Sequence, residues 1–197
     1  DQAYFVLRDV RTISFTEPSL ENAVLLQIPN KVEPTNTVYD IDAAGIESLS
    51  AANLGLTDLG PLAHFTGATN LVLFGNVFED LAPLSGLTNL VSVDLGSNNF
   101  LEDLGPLSTL LQLTELNIAA TFVDDLSPLS GLLQLEVLDA RSNFLADIGP
   151  LSSLAALREL NLGGNIDVTN VVSLAGLSQL EVVDLSGTGV VDAAPLA

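Results

Sequence analysis

A chain of 197 residues with 48% hydrophobic side chains has the material for a sizeable core, yet no apolar run reaches the roughly 18–20 residues of a membrane span. With no such run there is no membrane insertion; against 25 acidic residues stand 5 basic ones (Arg8, Arg11, Lys31, Arg141, Arg158), a net charge of −20, which excludes a nucleic-acid backbone or an anionic membrane as partner and favours a protein with a basic surface, divalent ions, or simply solubility. The absence of cysteine excludes disulfides and thiol chemistry. In chain order, residues 1–14 alternate loosely and read as an N-terminal extension, either an edge strand or a segment without fixed structure. Residues 15–45 read as a helical cap. Its first helix spans Phe15 to Ile28: Thr16 is the expected N-cap, Glu17 and Pro18 suit the first turn, and Phe15 is placed to staple onto Leu20. Leu20, Ala23, Val24, Gln27 and Ile28 trace its mainly apolar face. The segment from Asp42 to Leu49 then leads into a first strand.

Residues 46–197 repeat. Leu62, Leu84, Leu107, Leu129, Leu151, Leu174 and Leu196 stand 22, 23, 22, 22, 23 and 22 residues apart, and all but Leu174, which follows Ser173, come after a proline. A period of this length is the signature of a solenoid, in which each unit buries its apolar face by stacking on its neighbours. The pattern L-x-x-L-x-L-x-x-N runs from Leu90 to Asn98 and recurs from Leu113, Leu135, Leu157 and Leu180, with looser copies from Ala68 and Ile46. Its alternation predicts one short strand per unit, stacked in parallel into a curved sheet. Two polar columns accompany the strands. Asn76, Asn98, Thr121, Asn143, Asn165 and Thr188 sit where each strand turns, placed to satisfy backbone groups there. Asp58, Asp80, Asp103, Asp125, Asp147, Asn170 and Asp192 precede a short turn whose free N–H groups they are placed to cap.

The stretches Asp58-Leu59-Gly60-Pro61-Leu62, Asp80-Leu81-Ala82-Pro83-Leu84, Asp125-Leu126-Ser127-Pro128-Leu129 and Asp147-Ile148-Gly149-Pro150-Leu151 carry a family resemblance. With the strand pattern they resemble the leucine-rich repeat family, in its internalin-like bacterial type of 22-residue units. The resemblance implies an α/β solenoid: a curved right-handed superhelix with a parallel sheet on its concave face, short 3-10 or helical turns on the convex side, and an N-terminal helical cap. It implies seven repeats over 46–197 and a non-enzymatic recognition or adhesion module of a bacterial surface or secreted protein. No contact residue carries over from the family. The last unit should leave its apolar edge bare, so that either more protein follows residue 197 or self-association hides that edge.

Two surfaces are candidates for contact. On the outward strand face, Ser50, Val72, Asp94, Asn117, Asp139, Asn161 and Asp184 form one column, acid and amide alternating over its last five members. It reads either as a floor for a partner bearing Lys or Arg or as a solvated sheet face. Phe74, beside Val72, is a smaller candidate. The second surface is a row three positions before the Asp column: Gly55, Val77, Phe100, Phe122, Phe144, Asp167 and Gly189. Alternation with Phe78, Leu101, Val123 and Leu145 should turn the rings outward along a rim, for contact or for stacking on one another. No cofactor is expected. Calcium is the one alternative and the poorer fit, since the ion takes six to eight converging oxygens and the acidic column supplies few. His64 has no partner for catalysis, and Gly163-Gly164 is no phosphate loop. The other readings of the chain are a structural spacer in a large surface protein and an intracellular regulatory scaffold.

Overall fold

A computed structural model describes residues 12–28, 38 and 40–196. Residues 12–14 are the only part of the expected N-terminal extension among them; there Ile13 is buried and its amide donates to the Val38 carbonyl at 2.9 Å. Two helices follow, α1 (Pro18–Leu25) and α2 (Asp40–Ala44), then seven three-residue strands: β1 (Ser48–Ser50), β2 (Asn70–Val72), β3 (Ser92–Asp94), β4 (Glu115–Asn117), β5 (Val137–Asp139), β6 (Glu159–Asn161) and β7 (Val182–Asp184). Every strand pairs in parallel with the next, in sequence order, into one curved, open sheet. The register is one unit per rung. Leu49, Leu71, Val93, Leu116, Leu138, Leu160 and Val183 are successive partners and point to one side.

Each unit turns twice. At the strand exit one residue takes a left-handed backbone, φ between 53° and 80°: Asn53, Gly75, Ser97, Ala120, Ser142, Gly164 and Gly187. Ala120 holds this conformation at a steric cost of about 1 kcal/mol, set against the ladder bonds on both sides of it. The chain returns through a short 3-10 turn, such as Gly60–His64 or Ser127–Leu129, and these turns stack along the convex side. Here proline belongs: its fixed φ suits the first turn, and its missing N–H is a donor the turn does not use.

The core is a continuous column of leucines between sheet and 3-10 turns, from Leu49 to Leu177. Leu84, Leu107, Leu129 and Leu151, which mark the repeat, are fully buried. Each contributes about 1.5–3 kcal/mol by leaving water. In the seventh unit Leu180, Val183, Leu185 and Val190 are only half-buried, and a groove lined by Leu174, Leu177, Leu180, Val183 and Leu196 lies open there.

The first unit is covered by α1, which packs Leu20 and Val24 into the core, and by α2, which buries Ala43. Gly67 abuts α2 so closely that any β-carbon would overlap the Ala44 carbonyl oxygen. One local expectation is corrected. Thr16 does not cap α1: the N-cap is Glu17, without a side-chain capping bond. The Thr16 hydroxyl instead donates to Asp58 Oδ2 at 2.7 Å, and Glu17 Oε1 accepts from the amides of Thr57 (2.6 Å) and Asp58 (3.0 Å). Both side chains serve the junction between cap and first unit, because Pro18 already fixes the first turn of the helix.

Candidate functional site

The Asn column is structural. Asn76 is buried; its Nδ2 donates to the Ala51 and Leu73 carbonyls, and its Oδ1 accepts from the Leu54 and Leu56 amides, each at 2.8–3.0 Å. Asn143 and Asn165 bridge their units in the same way. The Asp column is structural too. Asp58, Asp80, Asp103, Asp125, Asp147 and Asp192 each accept the amide two residues on at 2.7–2.8 Å, and Asn170 does so at 3.1 Å. The hydroxyl and amide of Ser127 hold the Asp125 carboxyl below the ordinary carboxylate value.

The concave column faces outward along its whole length. Ser50 and Asp184 are exposed, and Val72, Asp94, Asn117, Asp139 and Asn161 are half-exposed. Its side chains carry a structural task that the spacing did not reveal. Asp94, Asn117, Asp139, Asn161 and Asp184 each accept, through Oδ1, the amide two residues on, at 2.8–3.2 Å, and so hold the strand exit ahead of its left-handed residue. At its first step the alternation of acid and amide also has a cause. Asn117 Nδ2 donates to Asp94 Oδ1 at 2.8 Å across the rung, where two facing carboxylates would repel. The backbone amide and hydroxyl of Ser186, followed by the charge of Arg141, hold the Asp184 carboxyl below its ordinary value. Arg141 also lies 3.5 Å from Asp139, on the same face. Phe74 lies over the next rung. A β-carbon on Gly96 would come within 3.1 Å of its ring, so glycine there makes the space. Shallow depressions run along the face, lined by Glu115, Val137 and Asp139 in its middle and by Glu159 and Val182 towards its end.

The second row forms a file on the rim. Val77, Phe100, Phe122 and Phe144 are 40, 54, 45 and 61% exposed, while their neighbours Phe78, Leu101, Val123 and Leu145 are buried. Phe122 and Phe144 meet edge to face, ring centroids 5.4 Å apart. The amides of Val77, Phe122 and Phe144 donate to the carbonyls of Leu56, Leu101 and Val123 in the preceding unit, which ties three of the four members to the rung before. Sequence reasoning missed Ile166, 68% exposed beside Asp167 in the same bend. It is the extra residue of a 23-residue unit, and the unequal spacing was the signal for it.

Residues 133–176 match the family model for leucine-rich repeats in two copies. The crystal structure of internalin C2 from Listeria monocytogenes superimposes with a TM-score of 0.77 and 30% identity, over 93% of this chain and 89% of that one. The chain belongs to the internalin-like leucine-rich repeat family. The functional domain of internalin J from the same bacterium is similar at 27% identity and a TM-score of 0.78, over 94% of this chain and 40% of that one. That domain includes a cysteine ladder, whereas this internalin-like chain has no cysteine and stacks Asn and Thr. Internalin F from Listeria monocytogenes shares the fold at 23% identity and a TM-score of 0.74, and the chain spans 59% of that structure. No curated protein matches the chain. Internalin-like leucine-rich repeat proteins are protein-interaction modules. Among the described residues no group of three or more acidic or histidine side chains could hold a metal, and no helix is long and apolar enough to cross a membrane.

Proposed function

We propose that this chain is the recognition module of a bacterial surface or secreted protein, and that it holds a protein partner against the concave sheet and the phenylalanine rim. The file of exposed phenylalanines on three consecutive units carries this reading. Aromatic side chains left in water beside an open polar face are the composition of a contact surface, where rings anchor and polar groups orient. The likeness to internalin C2 over nearly the whole chain supports the compartment.

The test is the double substitution Phe122→Ser with Phe144→Ser. Both side chains are exposed, and the edge-to-face pair is worth about 0.5–1.5 kcal/mol. The melting temperature should therefore fall by no more than about 5 °C. The immobilised wild-type chain should retain a defined protein from surface extracts of host or neighbouring bacterial cells, and the double variant should not. Retention by both chains, with or without a large stability loss, would make the rim a structural feature only.

A further inference from the structure

Between Phe100 and Phe122 the rim opens into a notch of about 360 Å³, whose remaining walls are Glu79, Glu102 and Asp103. Phe122 also meets Phe144 edge to face, and among the described residues no other rings are in contact. Unit 3 is one of the two longer units: Asn99 separates its ladder asparagine, Asn98, from Phe100. We propose that this notch takes an arginine side chain of the partner.

Its walls select by charge. Aromatic faces carry the negative end of the ring quadrupole, and three carboxylates surround them. An apolar side chain entering here would strip water from Glu79 and Glu102, both exposed, and return no hydrogen bond. An anion would be repelled. A guanidinium meets both demands: its plane lies along a ring while its N–H groups reach the carboxylates, a geometry the compact lysine ammonium does not reproduce. Asp103 already accepts the Gly105 amide through Oδ1 and keeps Oδ2, so Glu79 and Glu102 supply most of the acceptor oxygens lining the notch. Nor does the chain fill the notch itself. Among the described residues the arginines are engaged elsewhere, Arg141 with Asp139 and Arg158 with Glu136 and Glu181. The net charge of −20 steers a basic partner towards this surface as a whole.

The inference rests on the rim being part of the contact surface, and it is tested without the natural partner. The isotope-labelled chain is titrated with the peptide acetyl-Gly-Arg-Gly-amide at about 150 mM salt, where long-range attraction is screened. Companion titrations use the peptides in which lysine, or uncharged citrulline, replaces arginine. Saturable amide shifts at residues 79, 100–103 and 122 are expected, with affinity roughly fivefold tighter than for citrulline. Phe100→Ala should abolish them and Glu102→Gln should weaken binding severalfold, while Glu47→Gln, exposed in the first unit, leaves it unchanged. Equal binding of citrulline or lysine, or shifts that gather on the concave carboxylates and survive Phe100→Ala, would overturn the assignment. Peptide failure with partner capture intact removes the arginine notch alone. Peptide binding with no partner capture removes the recognition reading alone.

Discussion

The hydroxyl of Thr16 donates to Asp58, and this bond, with the Gly60 amide, holds the Asp58 carboxyl below its ordinary value of 3.8. A carboxyl lowered in the folded state stabilises the fold above its unfolded value, and that stabilisation disappears as pH falls through the folded value. The clasp between cap and first unit is therefore complete at neutral pH and released in acid. Thr16→Val should move the Asp58 titration upward, part of the way to 3.8 because the Gly60 amide remains; the carboxyl carbon shift of Asp58 followed against pH reads this directly. An unmoved midpoint would mean that Thr16 does not set it. Thr16 also marks a limit of reading from sequence. A Thr before Glu-Pro is a good local cap, but Asp58 lies 42 residues away, and only the folded junction brings the two together. The concave aspartates were legible as outward-facing, since a period of two allows nothing else. Their bonds to the amide two residues on were not, because those depend on the left-handed residue that follows, and Ala120 or Ser142 in that role gives no compositional hint.

Among the 3-10 turns, the sixth, Val172–Leu174, departs from its siblings: Ser173 stands where the other six carry proline. Ser173 Oγ is the one buried side-chain polar atom without a hydrogen-bond partner among the described residues. Six prolines at the same place show that the turn needs no donor there. Ser173→Pro should restrict the unfolded chain and remove the stranded hydroxyl, for a gain of about 1 kcal/mol. A rise in melting temperature of about 2–4 °C is expected, and a fall would show that the Ser173 amide is needed. The longer units show a second dependence between neighbours. In unit 3 the Leu101 amide donates to Asn98 within its own unit, and in unit 6 the Val168 amide donates to Asn165. The following unit then carries Thr121 or Thr188 in the ladder, whose hydroxyls donate to the Ile118 and Leu185 carbonyls of their own units. An extra residue satisfies locally what the next asparagine would otherwise supply. The spacing displayed both halves of this pattern, 23-residue steps and Thr for Asn, but the bond that couples them needed coordinates.

Taken whole, the solenoid concentrates negative charge on a regular lattice. Asp94, Asp139 and Asp184 recur at every second rung, about 10 Å apart. At about 10 mM salt the screening length is roughly 30 Å and these carboxylates feel one another; at about 100 mM it is roughly 10 Å and they largely do not. The melting temperature should therefore climb as sodium chloride rises from about 10 to 300 mM and then level off. A flat curve would mean that the bonds to neighbouring amides and Asn117 already offset the repulsion. The overall architecture was the most legible level, because a fixed period makes one unit's alternation predict all seven strands and their register. In the seventh unit Leu180 and Val183 are half-buried, since no further rung lies over them among the described residues.

The two longer units are the third and the sixth, so three turns apart the coil carries an additional exposed residue in its bend, Asn99 in one and Ile166 in the other. With neighbouring strands about 4.8 Å apart, the bends holding Phe100 and Ile166 recur at roughly 14 Å. A partner with contacts of its own at that pitch could grip both bends at once, whereas one matched to single rungs would follow the phenylalanine file and lose it after the fifth unit, where Asp167 takes the place of the ring.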